Sequence, residues 1–428
     1  MNTWRVYPLK RLCHVDSSGV WGAEPDACSD PTPVCTTAHI SSEGNFDVDS
    51  MPRRCLSAEE LDRYVCRSGD LIVVKASGSA DNVVSGKCGL VRNDEQRFAF
   101  GNFLMRLRPR TNIVRSAFLY HVVTSAEMRE SIKVAVLTTT YPNLQLGEYL
   151  NFKARVPDLG MQDLILDALE VKLREITLLL SNRRRLVTAL QEQKRAIFSR
   201  AVTRGINPDA PMKHSGLDWL GEMPAHWESR RAKYYFNEID ERSLSGAEEL
   251  LSVSHITGVT PRSEKNITMF MAESYEGSKL CRPGDLVINI MWAWMGACGV
   301  SRHHGIVSPS YGIYRPRDRE LFNPKYLDLL SRSIPYVAEY NCRSKGITSS
   351  RLRMYSDEFL NLRIVRPPIQ EQVEILKHID VECSRIDGAI ARANREIELI
   401  EEFRTTLISE VVTGKRDIHQ LAALKEPL

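Results

Sequence analysis

The stretch MQDLILDALEVKLREITLLLSNRRRLVTALQEQKRAIFSRAVTR, residues 161–204, contains neither glycine nor proline. Its apolar residues recur at alternating spacings of three and four, which places them on one narrow face of a helix. That face comprises Leu166, Leu169, Leu173, Ile176, Leu180, Val187 and Leu190. The pattern predicts a long helix that packs lengthwise on a partner helix, and Gly205 stands where such a helix is expected to end.

A second stretch repeats the first at a constant offset of 210 residues, so that Leu166 corresponds to Leu376 and Gln162 to Gln372. Its apolar face comprises Leu376, Ile379, Ile386, Ile390, Ile397, Ile400 and Leu407. One offset kept over the whole stretch predicts a tandem duplication, in which the two helices are each other's partners.

The charges of the two stretches favour this pairing. Residues 151–206 contain 11 Lys/Arg and 6 Asp/Glu, whereas residues 370–416 contain 7 Lys/Arg and 10 Asp/Glu. Balances of opposite sign attract, although each exposed ion pair contributes little free energy. Two ordinary solvated faces are an equally good interpretation of the same counts.

Composition indicates a globular protein of two to three domains. The chain has 428 residues, of which 43% are hydrophobic and 26% charged. The start lacks the apolar core of a signal peptide and no apolar run is long enough to span a bilayer, so we expect a cytoplasmic protein without a membrane partner. The ten cysteines include no CxxC pair, and we expect them to be free thiols rather than zinc ligands. The net charge of +3 neither favours nor excludes nucleic acid.

The parts that precede the two helical stretches also repeat each other. CRSGDL at 66–71 matches CRPGDL at 281–286, and Trp4 with Lys10 matches Trp227 with Lys233. The loops that follow, KASGSADNVVSGKCG at 75–89 and NIMWAWMGACGVSRHH at 289–304, share almost nothing. A repeated scaffold with unlike polar loops is typical of a recognition protein whose two modules bind different targets.

Four short segments resemble the specificity subunits of type I restriction-modification enzymes. They are HSGLDWLGEMPAHW at 214–227, PPIQEQ at 367–372, SRID at 384–387 and LISEVVTG at 407–414. The resemblance covers nearly the whole chain as two half-repeats. It is weaker in the first half, which begins at Trp4 without a preceding connector and has VPDLGMQ at 156–162 in place of the proline segment.

The resemblance implies a mixed α/β (α+β) fold with two repeated target-recognition domains and two long antiparallel coiled-coil helices. It places the recognition domains at 1–160 and 228–368, the helices at 161–206 and 369–416, a connector at 207–227 and a tail at 417–428. Each domain would read one half of a bipartite site in double-stranded DNA. The chain would be non-catalytic and would dock two methyltransferase subunits, which use S-adenosylmethionine, and motor-nuclease subunits, which use ATP and Mg²⁺.

Base edges and phosphates are contacted by basic, amide, hydroxyl and imidazole side chains, and aromatic rings can stack on bases. On this ground the candidate DNA contacts are Lys75, Ser77, Ser79, Asn82, Lys87, Trp292, Arg302, His303, His304, Arg343, Ser344, Lys345 and Ser349. For each of them a solvated loop is at least as good an interpretation, and Trp292 and Trp294, two apart on a predicted strand, fit a core better than a base stack.

Two other functions stay open: a stand-alone modification or nuclease enzyme with a divergent site, and a coiled-coil scaffold without DNA function. Two fragments faintly resemble catalytic motifs, Asn323–Tyr326 of amino-methyltransferases and Asp158 with Glu170 and Lys172 of nucleases. The first lacks its second proline and a cofactor loop, and the second falls within a predicted helix, so neither supports catalysis. The helix from Leu166 to Ala201 would be about 50 Å long at 1.5 Å per residue, enough to bridge half-sites roughly 34 Å apart.

Overall fold

The structure, a computed structural model, describes residues 4–76, 78–79, 82–83, 85–95, 97–135, 144–264, 274–348 and 351–417. The chain divides into two compact units, of which the first comprises residues 1–183 and 395–428 and the second residues 184–394. Both units mix helices with small sheets, so the predicted fold class is confirmed. None of the described helices is long and apolar enough to cross a membrane.

In the first unit the strands are β1 (Arg5–Pro8), β2 (Cys13–Asp16), β3 (Thr32–Cys35), β4 (Arg53–Arg54), β5 (Leu71–Val74), β6 (Gly78–Ser79), β7 (Asn82–Val83), β8 (Cys88–Leu90), β9 (Ala99–Phe100), β10 (Leu104–Pro109) and β11 (Lys153–Val156). The helices before the first long one are α1 (Leu9–Leu12), α2 (Ala58–Tyr64), α3 (Ser116–Val123), α4 (Ala126–Ala135) and α5 (Leu146–Asn151). The long helices, to which both units contribute, are α6 (Leu159–Arg204) and α10 (Ile369–Val412).

In the second unit the strands are β12 (Met212–His214), β13 (Glu222–Pro224), β14 (Glu228–Arg231), β15 (Phe236–Glu238), β16 (Leu251–Ser254), β17 (Gly258–Pro261), β18 (Lys279–Cys281), β19 (Leu286–Ile288), β20 (Cys298–Val300), β21 (Gly305–Val307), β22 (Gly312–Pro316) and β23 (Arg363–Arg366). The helices between the two long ones are α7 (Pro324–Ser331), α8 (Ile334–Arg343) and α9 (Ser356–Asn361).

The same antiparallel sheet occurs in both units. Its strand order is β2-β10-β5-β8 in the first and β15-β22-β19-β20 in the second. The central hairpins are in equivalent register, with Leu71 opposite Leu90 and Leu286 opposite Val300. Each unit also contains a separate antiparallel two-stranded ribbon, formed by β1 and β11 in the first unit and by β14 and β23 in the second. The duplication inferred from the sequence is therefore also a duplication of architecture.

The repeated CRxGDL sequence is a turn that leads into the central strand. Gly69 and Gly284 take φ of +88° and +94°, which a residue with a side chain rarely adopts. Asp70 accepts a hydrogen bond from the backbone N–H of Arg67 at 2.9 Å, and it accepts two more from Nε and Nη2 of the Arg108 guanidinium, at 2.7 and 2.8 Å. The side chain of Asp285 is bound in the same way by Arg282 and Arg315. The repeat thus preserves a buried carboxylate that joins two neighbouring strands.

The two long helices are antiparallel. In the first unit the N-terminal half of α6 and the C-terminal half of α10 share one core, in which Leu169, Ile176 and Leu180 lie with Ile400 and Leu407. The second unit combines the opposite halves, and its core contains Ala201 and Val202 together with Ile375, Leu376 and Ile379. Every residue of the predicted apolar faces is buried or half-buried.

Ion pairs between the helices follow the charge balance seen in the sequence. Arg183 binds Glu396 at 2.7 Å in the first unit, and Lys194 binds Asp387 at 2.6 Å in the second. In both pairs α6 supplies the cation and α10 the carboxylate. All four side chains are at least a third exposed, so each pair contributes little to the free energy of folding. The pairs favour one alignment of the two helices.

A buried glutamine joins each long helix to its module. The Gln162 side chain accepts the Arg115 N–H at 2.8 Å and donates to the carbonyls of Ile113 and Pro157 at 3.0 and 2.9 Å. Gln372 makes the equivalent bonds with Asn323, Leu321 and Pro367, at 2.7, 3.0 and 3.0 Å. Both glutamines are 0% exposed, so these bonds satisfy backbone groups that water cannot reach.

Within residues 98–108 the chain forms two strands, β9 and β10, because it turns at Gly101. Residues 115–135 form two helices, α3 and α4, since the backbone leaves the helix at Thr124–Ser125. One expectation from the sequence is wrong. The expectation that all cysteines are free thiols is wrong for Cys28 and Cys55, which form a disulfide, since the backbone pairing of Ala23 with Cys55 brings the two segments together.

The glutamine bonds make a prediction about stability. Replacing Gln372 by Leu leaves one backbone N–H and two carbonyls buried without partners, at a cost of roughly 1–3 kcal/mol per unsatisfied group. We expect Gln372→Leu to lower the urea concentration at which half of the full chain is unfolded, and we expect Gln162→Leu to have the same effect. Gln193→Leu, on the exposed face of α6, is the control and should leave the midpoint nearly unchanged. Equal effects of the three substitutions would show that the buried bonds contribute no stability.

Candidate nucleic-acid interface

The two unlike loops occupy equivalent positions in the two sheets. Residues 75–87 connect β5 to β8, and residues 289–297 connect β19 to β20. Each loop therefore leaves the end of the same central hairpin. The two hairpins have the same topology and register. The two modules therefore present different loop side chains from the same position of the sheet.

In the first unit the loop is anchored through the backbone of Lys75. Its N–H donates to the Phe103 carbonyl at 2.9 Å, and its carbonyl accepts from Leu144 at 2.8 Å. Partial burial lowers the pKa of the Lys75 ammonium. Ser79 and Asn82 belong to the small hairpin β6–β7, whereas Ser77 lies outside the described residues.

Lys87 lies where the same loop returns to the sheet. It borders a cavity of about 410 Å³, together with Tyr120 and Arg129 from helices α3 and α4. It is half-buried, on the side of the module where those helices pack. Lys75 and Lys87 thus lie at the two bases of the loop and not at its tip.

In the second unit the loop is a hydrogen-bonded turn that presents an indole ring. Asn289, which is buried, donates to the Tyr311 hydroxyl at 2.9 Å and accepts the Met291 N–H at 3.2 Å. The indole N–H of Trp294 donates to the Met291 carbonyl at 3.1 Å. The Trp292 ring stacks on that of Trp294, with 6.1 Å between centroids and 26° between planes, and is 49% exposed.

The two tryptophans are therefore not on a strand, as the sequence suggested. The chain leaves β19 at Ile288 and forms a 3-10 turn at Ala293–Met295, which ends at Gly296 with φ +85°. A side chain at Gly296 would also approach Val337 of α8 to 2.9 Å. The turn is closed so tightly on α8 that Trp292 is left on the surface.

The remaining candidates of the second unit separate into two groups. Arg343, Ser344 and Lys345 lie near the Trp292 turn, because the Met354 N–H binds the Ile290 carbonyl and Lys345 pairs with Arg353. Arg302, His303 and His304 follow β20 and lie at the opposite end of the sheet. The structure thus does not bring all of the predicted contacts together. Ser349 lies outside the described residues.

Two of the predicted cations are already paired with acidic side chains. Glu358 binds the Lys345 ammonium at 2.6 Å and the Arg343 guanidinium at 3.7 Å, and Arg343 also binds Glu339 at 2.6 Å. The hydrogen bond and the charge of Glu358 raise the pKa of Lys345. Ser344 donates to the Tyr340 carbonyl and ends α8. These contacts position the segment and reduce the charge that it offers to a phosphate.

Two exposed aromatic residues beside the loops had no recognisable signal in the sequence. Phe103, whose carbonyl binds Lys75, is 66% exposed, and Tyr355, next to Met354, is 51% exposed. Each lies in a stretch of apolar residues that the sequence pattern assigns to a strand or a helix. Only the fold shows that their side chains face the solvent.

The fragments that resemble catalytic motifs have structural roles. The side chain of Asn323 caps α7 by accepting N–H bonds from Lys325 and Tyr326. On α6, Glu170 pairs with Arg174, and Lys172 pairs with Glu175 at 2.9 Å. Within the described ranges no group of three or more His, Cys, Asp or Glu side chains is placed to hold a metal ion.

No family model matches this sequence, and no protein of curated function matches it. Among solved structures, a chain from a study of complex assembly and conformational transition in the type I R-M system has a TM-score of 0.61 at 16% identity, over 96% of this chain and 98% of that one. The chain therefore shares its fold with a component of a type I restriction-modification system.

Two further structures are more distant. The HsdS subunit from Thermoanaerobacter tengcongensis matches with a TM-score of 0.45 at 16% identity, over 96% of this chain and 97% of that one. The type I restriction-modification S subunit from M. genitalium matches with a TM-score of 0.35 at 14% identity, over 96% of each chain.

The cysteines allow a direct test of the packing around the site. Burial raises the pKa of Cys13, Cys35, Cys281 and Cys298 to about 12, so these thiols are both covered and protonated at neutral pH. Cys342, at the end of α8, is exposed.

We expect iodoacetamide to modify Cys342 alone in the native chain at pH 8, as measured by peptide mass spectrometry. Cys342→Ser is the control that should remove the label. After reduction, Cys28, which is exposed, should become the second labelled site. Rapid native labelling of Cys281 or Cys298 would contradict the packing described for the second sheet.

Proposed function

We propose that the chain is the DNA sequence-specificity subunit of a type I restriction-modification complex. One observation carries the proposal: two modules of identical topology present chemically unlike loops from the same hairpin position. A polar, lysine-flanked loop in one module and an indole-bearing turn in the other would read two different half-sites. The fold shared with a chain of a type I system supports the same assignment.

The proposal includes the candidate contacts Lys75, Ser79, Asn82 and Lys87 of the first module, with Ser77 in the same loop. In the second module it includes Trp292 and the segment from Arg343 to Lys345, with Ser349 beyond it. Trp292 would stack on or wedge between bases, because its ring is exposed, flat and held by Trp294. The domain boundaries at 160, 206, 227, 368 and 416 belong to the same proposal.

The chain itself would carry out no chemistry. Two methyltransferase subunits would supply S-adenosylmethionine chemistry on adenine, and motor-nuclease subunits would supply ATP- and Mg²⁺-dependent restriction. The complex would act in the cytoplasm. The alternatives, a stand-alone enzyme or a scaffold without DNA function, have no supporting observation in the described residues.

The proposal is tested with the purified full chain in two assays. We expect sequence-selective affinity for duplex DNA that falls steeply with salt, because phosphate contacts release counterions. We also expect no S-adenosylmethionine-dependent methylation by the chain alone, and methylation once methyltransferase subunits are added. Methylation without partners would favour the stand-alone enzyme, and absence of DNA affinity would favour the scaffold.

If the helices set the spacing between half-sites, shortening both by one heptad shortens the spacer. Residues 186–192 of α6 and 388–394 of α10 lie between the Arg183–Glu396 and Lys194–Asp387 pairs, so their joint removal keeps both pairs and the apolar frame. Seven residues are about 10 Å of helix, or roughly 3 base pairs at 3.4 Å each.

We expect the preferred spacer of this double deletion to shorten by about three base pairs in binding assays with a spacer series. The control carries alanine at the exposed positions of the same segments and should keep the original spacer. A folded deletion variant with an unchanged spacer would refute a role of the helices in spacing.

A further inference from the structure

Three exposed cations stand at equivalent positions in the two modules, away from the loops. They are Lys10, Arg110 and Lys153 in the first, which we call the first basic triad, and Lys233, Arg317 and Arg363 in the second, which we call the second basic triad. Each of the six is exposed. Within the part of the chain that the structure describes, none of them makes an ion pair with an acidic side chain.

The equivalence of the triads rests on backbone hydrogen bonds. The N–H of Leu9, which precedes Lys10, binds the carbonyl of Phe152, which precedes Lys153, at 2.9 Å. In the second module, Ala232 and Leu362 make the same bond at 2.7 Å.

The third member of each triad is fixed in the same way. The Arg110 N–H binds the Leu12 carbonyl, and the Arg317 N–H binds the Tyr235 carbonyl, both at 2.8 Å. The fold therefore holds each triad together at one end of the sheet, where β10 or β22 ends.

The first triad also borders a concave surface. Lys10, Arg11 and Arg110 line a cavity of about 290 Å³ together with Tyr7 and Ile113. No carboxylate lines it among the described residues. A fourth cation lies at the same end of each sheet, since Arg92 follows β8 and Arg302 follows β20, and both are exposed.

From this repeated arrangement we infer that the basic triads bind the phosphate backbone of duplex DNA, one triad at each half-site. This inference rests on the proposed function. It adds a contact with the DNA backbone, which is distinct from the contacts that the loops would make with the bases. The loops differ between the modules, as base readers of unlike half-sites must. The triads are cationic in both modules, as a contact with the uniform part of the duplex requires.

A protein partner with an acidic surface is the competing occupant. Protein–DNA interfaces are much more positively charged than protein–protein interfaces, so a group of three cations without a paired carboxylate fits DNA better. Strand β10 has six residues and spans about 20 Å at 3.4 Å per residue. The triad and the loop of one module are thus separated by more than the roughly 12 Å width of a major groove, which allows one to lie on the backbone while the other enters the groove.

The test uses three variants of the full chain, each with three cations replaced by glutamine. The first carries K10Q, R110Q and K153Q, and the second K233Q, R317Q and R363Q. The control carries R174Q, R385Q and R395Q, which removes the same charge from exposed arginines that pair within their own helices, with Glu170, Glu382 and Glu398. Thermal unfolding establishes that all three are folded.

We expect each triad variant to bind every duplex at least about ten-fold more weakly, whatever its sequence. The slope of log affinity against log salt should fall by about one for each cation removed, or about three for each variant. The control should keep both the affinity and the slope of the unaltered chain.

Three results would overturn the inference, and they are distinguishable. If the unaltered chain has no salt-dependent affinity for DNA, the proposed function itself fails. If it binds and the triad variants bind equally well, only the inference fails, and loss of co-purification with methyltransferase subunits would then show a protein-docking site. If a triad variant weakens binding to one sequence and not to others, the triad reads bases.

Discussion

Neither module can complete its hydrophobic core without a helix end from the other copy of the repeat. In the first unit, Leu407, Val411 and Val412 of α10 lie in the same core as Leu9 and Phe118. In the second, Ala201 and Val202 of α6 are buried with the residues of α7 and α8. Antiparallel pairing of α6 and α10 thus completes the cores of both modules.

The ends of the long helices show how the hydrophobic core is completed in each unit. Gly205 and Gly414 take φ near +75°, which stops the helix and turns the chain. The space beside Gly205 is occupied by Trp227, and the space beside Gly414 by Trp4, so that each helix ends against the tryptophan that begins a module. Trp227 also donates to Glu371, and Met161 stands at the corresponding position in the first copy. The two helix ends thus share their geometry, although a carboxylate in one copy corresponds to a thioether in the other.

Much of the scaffold could be predicted from the sequence because its signals are periodic or local. Heptad spacing indicated the helix pair, and the constant offset matched Gln162 with Gln372 before their identical hydrogen bonds were known. The glycine and aspartate of CRxGDL similarly marked a turn. The disulfide was missed because Cys28 and Cys55 are brought together only by pairing between distant segments.

The candidate site was less predictable, because it depends on which end of a strand a side chain occupies. Arg302 and Trp292 are close in sequence, yet they lie at opposite ends of the β19–β20 hairpin. Lys345 looked like a free phosphate contact, but Glu358 comes from a different helix to bind it. The basic triads were invisible for the same reason, since Lys10, Arg110 and Lys153 are distant in sequence and meet only in the folded module.

The central claim is that one chain carries two different readers on one duplicated scaffold. Selection of bound duplexes from a random library by the full chain, followed by sequencing, tests it most directly. The account predicts two unlike short motifs at a fixed spacing, and it predicts that replacing residues 289–297 changes one motif and leaves the other intact. A single motif, two identical motifs, or a change in both motifs after that replacement would contradict it.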